Sequence, residues 1–327
     1  GRLHSCLLQS SGALRCWGYN SAGQLGNGTA PLMGGFSSVL SITDGVEVDG
    51  EFDHTCVRSA SGYVWCWGEG SNGELGAGDG ADRNQPVLVG GIADAVSIAS
   101  GVSHSCAARA SGAVACWGQG RDGQLGDGAT SGRAVARNVT GITDGVEVVA
   151  GKTHSCARRA GGSVVCWGTN TYGQLGDGTT TQRLTPVAVA GITSAVELAA
   201  NEDFTCARLA SGTVTCWGRN QYGQLGDSTL STRTTPVPVV MLNDAVALTT
   251  GNGHACAVRA AGTVVCWGAN DEGQLGNNTM TRAAYPVAVL DVANIIDVAA
   301  GEGHSCAVER SGAAWCWGDN YAGQIGR

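Results

Sequence analysis

A motif of the form H-x-C, nine residues, C-W-G and then G-Q-L-G recurs seven times, with minor variations, in this chain. The copies begin at His4, His54, His104, His154, Phe204, His254 and His304, a period of 50 residues without drift. A repeat of this size marks a solenoid, a propeller or an array. It overrides the two-domain expectation that 327 residues would otherwise carry, and residues 1–327 read as a single domain. Gly is abundant at 53 residues, aromatics are sparse, and seven of the nine Trp occupy one repeat position. That composition fits short strands, tight turns and one aromatic wedge per unit.

The third unit shows the pattern. Residues 95–99 (AVSIA) form a short apolar run, with copies at 46–48, 146–150, 196–200, 246–250 and 296–300. A turn at 101–103 leads to a second strand, 104–109. Ala110-Ser111-Gly112 turns the chain again, with Gly free to take positive φ, into a third strand at 113–118. A long loop precedes a short fourth strand at 136–139, which in other units reads Pro86-Val-Leu-Val or Pro186-Val-Ala-Val. No window places apolar residues at helical spacing, and Gly interrupts every candidate helix. A parallel β-helix would repeat in about half this length. The fold class is therefore all-β, a seven-bladed β-propeller with four-stranded blades. Residues 1–27 match 301–327 in phase, and the chain holds seven central hairpins but six copies each of the first and fourth strands. One blade is expected to form or be left incomplete at the chain ends, two strands short.

The segment GEGHSCAVERSGAAWCWGDNYAGQIG, residues 301–326, resembles the regulator of chromosome condensation repeat, and the resemblance covers the whole chain. It implies a seven-bladed propeller whose closure often joins strands from both chain ends in one blade. The eukaryotic founder of that family binds chromatin through basic segments and acts as an exchange factor for a small GTPase. No basic tail is seen here, and the acidic balance argues against that role. The paired Cys are similar to those of the secreted, largely bacterial branch of such repeats. Propeller-type β-lactamase-inhibitory proteins show that a related scaffold serves as a secreted binder.

Each unit carries two Cys with nine residues between them. In a hairpin turning at 110–112, residue 109 faces 113 and Cys106 faces Cys116. That pair falls at a non-hydrogen-bonded site, where Cα atoms approach to about 4.5 Å, near the short end of what a disulfide tolerates. The rival is zinc, because His104 shares a sheet face with Cys106 and Cys116. The fifth unit replaces the His by Phe204 yet keeps Cys206 and Cys216, so the Cys pair does not need the imidazole. Seven disulfides are expected: Cys6–Cys16, Cys56–Cys66, Cys106–Cys116, Cys156–Cys166, Cys206–Cys216, Cys256–Cys266 and Cys306–Cys316. Each closes a short loop worth roughly 2–3 kcal/mol in the chain-entropy picture. Fourteen paired Cys imply an oxidising compartment, hence a secreted or cell-surface protein.

No other residue set calls for a cofactor, a metal or catalysis. All six His share one repeat position, where a role bridging backbone groups of the first turn is expected. Gly-Gln-Leu-Gly reads as packing between neighbouring blades. Asp127, Asp177 and Asp227 read as turn caps and lack the alternating acidic ligands of a calcium loop. Glu47, Ser97, Glu147, Glu197, Ala247 and Asp297 sit in the first strand. If that strand is innermost, its acids would give the channel an acidic mouth and a cation site. Solvated charges at a strand end are the alternative.

The formal charge is −8, Lys152 is the sole Lys and no basic run occurs, which excludes the phosphate-neutralising surface of a nucleic-acid binder. No apolar stretch of about 18 residues is present to span a membrane. The chain starts at Gly1 without an initiator Met, as expected of a processed or truncated product. Function is then sought in what varies. Tyr19, Arg121, Tyr172, Tyr222 and Tyr321 cluster in the loops before Gly-Gln-Leu-Gly and form a candidate binding rim. The expectation is a non-enzymatic extracellular scaffold that binds a protein or glycan through this rim. A subunit of a surface layer or appendage, self-associating through the incomplete terminal blade, is the first alternative. A channel-sited hydrolase or lyase is the second. Sequons stand at Asn27, Asn138 and Asn277.

Overall fold

The computed structural model describes residues 1–326. Among them no helix occurs, and twenty-six strands form seven antiparallel sheets. The innermost strands lie beside one another in sequence order, which arranges the sheets as blades of a ring. Blade three runs outward as Ala95–Ser100, His104–Arg109, Val114–Gly118 and Arg133–Asn138. The central hairpin has the expected register: Ala108 faces Val114 and Cys106 faces Cys116. Gly112, at φ 81°, closes its turn by donating its N–H to Arg109 O.

Two expectations are corrected. The outer strand begins near 133 rather than 136, because a bulge between Cys116 and Gly118 lets Arg133 pair with Gly118 ahead of the apolar stretch. The strand shortage is shared between two blades. Blade one holds His4–Leu8, Leu14–Tyr19 and Met33–Ser38 without an innermost strand. Blade seven holds Ile295–Ala300, His304–Glu309 and Ala314–Gly318 without an outer one.

Side chains close the ring. In every blade junction the main-chain carbonyl of the Gly-Gln-Leu-Gly residue accepts the indole N–H of the next blade's Trp, as from Trp167 to Gln124 O at 2.8 Å. Gln324 O accepts from Trp17 at the same distance, so blade seven docks on blade one by the common rule. Leu125 and Trp167 are fully buried in one cluster that draws on blades three and four, so the core lies between blades. Gly126 (φ 65°) lets the loop pass under that indole, for a Cβ there would sit 2.8 Å from Trp167. All seven disulfides form as expected, with Cα separations of 4.0–4.1 Å.

Candidate interaction face

The His residues do not bridge their own turn, which corrects the sequence expectation. His104 Nε2 bonds Ser155 Oγ of the next blade at 2.8 Å, and Ser155 donates its single proton to Gln124 O. The imidazole must therefore be the Nε2–H donor, leaving its buried Nδ1 without a partner. The same link joins His4 to Thr55, His54 to Ser105, His154 to Thr205, His254 to Ser305 and His304 to Ser5. At the seventh junction Phe204 meets the blade that carries Ala255 where the others have Ser or Thr, and both residues are fully buried. Both halves of the pair are replaced together. Burial pushes His104 down to about 3 and His54 and His154 to about 4, so the belt is neutral at physiological pH.

The channel acids are built into the scaffold as well. Glu147 pairs with Arg158 of its own blade and accepts the N–H of Leu198 from the next. Glu47 and Glu197 repeat this with Arg58 and Ile98, and with Arg208 and Leu248. These carboxylates satisfy edge N–H groups of adjacent innermost strands. In the outer loops Asp177 accepts from the N–H and hydroxyl of Thr179 and is ion-paired with Arg183 at 2.8 Å, a capped turn as expected.

What varies collects on one face. The turn between first and second strands and the loop between third and fourth lie at the same end of each blade, tied by bonds such as Gln119 N–H to Ser103 O. The five rim residues differ in availability there. Arg121 is exposed at a loop tip and Tyr321 is 86% exposed. Tyr19 ends the strand Leu14–Tyr19 of blade one, half-buried, its N–H bonded to Leu3 O. Tyr172 and Tyr222 are half-buried beneath guanidinium groups, Arg219 at 4.9 Å and Arg282 at 5.4 Å.

The sequence reading missed an inner ring. The residue two before each repeat His, or Phe204, lies in the first turn and reads Arg2, Phe52, Val102, Lys152, Glu202, Asn252 and Glu302, all of them at least partly exposed. Seven copies carry six residue types, whereas Trp, Cys and Gly beneath them are invariant within the chain. Arg2 ion-pairs with Glu302 at 2.6 Å and stacks over Phe52 at 4.5 Å, and Lys152 faces Glu202 at 3.5 Å.

Units two and five depart furthest. Five units place Gly at the start of this turn, but these two place Glu51 and Asn201. Their innermost strands are extended to Gly45–Glu51 and Ala195–Asn201, and the next residues, Phe52 and Glu202, take φ of 47° and 43°. Asn201 Nδ2 donates to Glu51 Oε2 at 2.9 Å, spanning blades two and five. Burial, above all, raises Glu51 to about 7.

A search of curated protein sequences finds no match. Solved structures match over nearly the whole chain. Prp20p from Saccharomyces cerevisiae, described with its binding to Gsp1p and histones, has TM-score 0.84 at 21% identity, covering 98% of this chain and 84% of its own. Human WBSCR16 gives 0.82 at 20% identity, with 96% and 91% coverage. The CRINKLY WD40 ectodomain of the Arabidopsis thaliana receptor kinase ACR4 gives 0.58 at 18%, with 98% and 93% coverage. At these identities the likeness shows the fold. The RCC1-like domain profile matches residues 1–290, and the regulator of chromosome condensation (RCC1) repeat profile matches 295–324. The chain belongs to the RCC1-like domain family.

Proposed function

We propose that the protein is an extracellular or cell-surface interaction scaffold that binds a protein or glycan partner through its loop face, without catalysis. One observation carries this reading: an invariant frame presents a different residue at nearly every turn of a single face, from Arg2 and Phe52 to Lys152 and Glu302. Selection for stability alone would give such solvent-facing positions no reason to sit over strained turns at Phe52 and Glu202. Seven disulfides suit an oxidising environment. The structural neighbour from ACR4 is an ectodomain, which is in keeping with a propeller of this shape outside the cell. The buried, hydroxyl-bonded His are committed to structure, which favours a binder over a hydrolase or lyase.

The test is a screen of arrayed ectodomains and glycans, with each hit re-measured on two variants. A loop-face variant, Arg121→Glu with Lys152→Glu and Tyr321→Ser, is expected to lose binding. Arg310→Glu, on the opposite face, is expected to keep it. The reverse pattern refutes the proposal.

A further inference from the structure

Of the six outer strands described, four carry Pro at one repeat position, as Pro86, Pro186, Pro236 and Pro286. These blades keep the register of blade three, in which the next residue faces the second Cys of the hairpin: Val87 on Cys66, Val187 on Cys166, Arg137 on Cys116. Pro has no N–H, so the neighbouring strand takes no hydrogen bond from this position. The backbone there faces away from the sheet, and Pro closes the edge to a further strand. Blade three has Ala136 instead, and its outward N–H is open. Blade one also departs, with Phe36, but Gly34 and Gly35 loosen that strand and the Phe36 ring is stacked on Trp17 at 4.3 Å.

The open stretch is short and bounded. Ala134 O is taken by the N–H of Gly78 from blade two, and Val139 N–H returns to Val114 O. Backbone groups alternate in direction between these limits, so those of Ala136 and Asn138 face outward and those of Arg137 face the hairpin. Arg137 is the second departure. It stands where Val87, Val187, Val237 and Val287 lie partly buried against the core. Arg137 is exposed and has no ion pair or hydrogen-bonded partner among the described residues. With Arg133, which holds Asp127 at 3.1 Å, it lines an open hollow of about 600 Å³ that also takes in Ala136 and Asn138.

We propose that the edge of blade three, at residues 136–138, binds an extended acidic segment of a protein partner, which joins the sheet as a fifth strand. Ala136 and Asn138 supply the backbone bonds of the ladder. So short a ladder leaves side chains to add affinity, and Arg137 offers its free guanidinium to a carboxylate on the added strand. Charge disfavours a second copy of this chain as the occupant. The strand Arg133–Asn138 holds two Arg and no acid, so pairing it with itself would gather four cations at one seam, faced only by the two copies of Asp127. The site lies on the outer wall of the propeller, apart from the loop face, and does not depend on binding there.

The test uses the intact, oxidised chain, made in a host that leaves Asn138 without a glycan. The probe is the capped peptide Ser-Val-Glu-Val-Glu-Ser, with Ser-Val-Lys-Val-Lys-Ser as its basic counterpart. Saturable shifts of backbone amide signals at residues 115–118 and 133–140, with slowed hydrogen exchange at Ala136, are expected with the acidic peptide. The basic peptide should bind at least about twofold to fivefold more weakly. Ala136→Pro restores the residue of four other blades, so it should leave the melting temperature unchanged and weaken binding by about tenfold or more. Arg137→Val restores their Val and should weaken binding by about twofold to fivefold, with the shifts still in place. Equal binding of the two peptides, shifts centred on another blade, or full affinity in folded Ala136→Pro would overturn the inference. So would light scattering that shows a dimer of the parent chain dispersed by Ala136→Pro, since the edge would then belong to a second copy.

Discussion

The junction between Phe204 and Ala255 makes a prediction about every other junction. Replacing His104 by Phe and Ser155 by Ala copies that apolar pair into the link between blades three and four. Ser155→Ala alone strands the Nε2–H of His104, which the hydroxyl accepts at 2.8 Å, inside a fully buried site. An unsatisfied buried donor costs about 1–3 kcal/mol. Gln124 O keeps its bond from Trp167, so the loss is confined to the imidazole. His104→Phe alone presses a larger ring against a hydroxyl and costs a similar amount. The double variant removes donor and acceptor together and is expected within about 1 kcal/mol of the parent, a coupling of about 1 kcal/mol or more.

Acid separates the variants further. The folded state depresses His104 from 6.5 to about 3, so its contribution is complete above 6.5 and is lost as pH falls toward about 3. Over the ~1.5 pH units down to about pH 5, at about 1.4 kcal/mol per unit, the parent gives up about 2 kcal/mol that the double variant retains. Raised carboxylates such as Glu74 act in the opposite direction, but they are common to both proteins and cancel in the difference. Denaturant unfolding of the oxidised parent, both single variants and the double variant, near neutrality and near pH 5, measures both effects. A double variant as unstable as the sum of its singles, or a difference from the parent that ignores pH, would refute the belt as described.

Three further outcomes are expected. Glu74 stands where the other six units all have Gln, and burial raises it to about 7. Its folded pKa lies above 4.5, so stability is lost as pH rises through about 7, and Glu74→Gln should stabilise by on the order of 2 kcal/mol near pH 8, read by thermal melting. Cys306 and Cys316 are both half-buried, whereas most of the other Cys are fully enclosed, so brief mild reduction followed by alkylation and peptide mass spectrometry should label that pair first. Glu147→Ala strips partners from Arg158 and from the N–H of Leu198 and should cost about 1–3 kcal/mol in denaturant unfolding.

Much of this architecture is legible in the residues because the repeat is nearly free of noise. The constant distance from Cys106 to Cys116 determines the hairpin register, and Phe204 separates the disulfide from the imidazole. The outer strand is misplaced because Arg133 pairs through a bulge, which leaves no alternation to read. The hydroxyl partner of His104 lies in the following unit, where contact is a matter of blade packing rather than chain proximity. A signal existed even so: the one unit with Phe in place of His is followed by the one unit with Ala in place of Ser or Thr. The inner ring from Arg2 to Glu302 carries no motif, because its residues share neither type nor charge from unit to unit and only the closed ring brings them together. The lids over Tyr172 and Tyr222 come from Arg219 and Arg282, each in a later unit, and only folding brings them together.

The link from His104 to Ser155, and its replacement by Phe204 with Ala255, has a bearing on how such a chain can be edited. The repeat that the eye marks out, from one His to the next, is not the piece that can be exchanged freely. Transplanting unit three into the place of unit five would set an imidazole against Ala255 and orphan it. The exchangeable module is the seam between two blades, cut through the middle of each. Grafts or duplications made on those boundaries carry both halves of every seam with them, and natural reshuffling of the chain is subject to the same restriction.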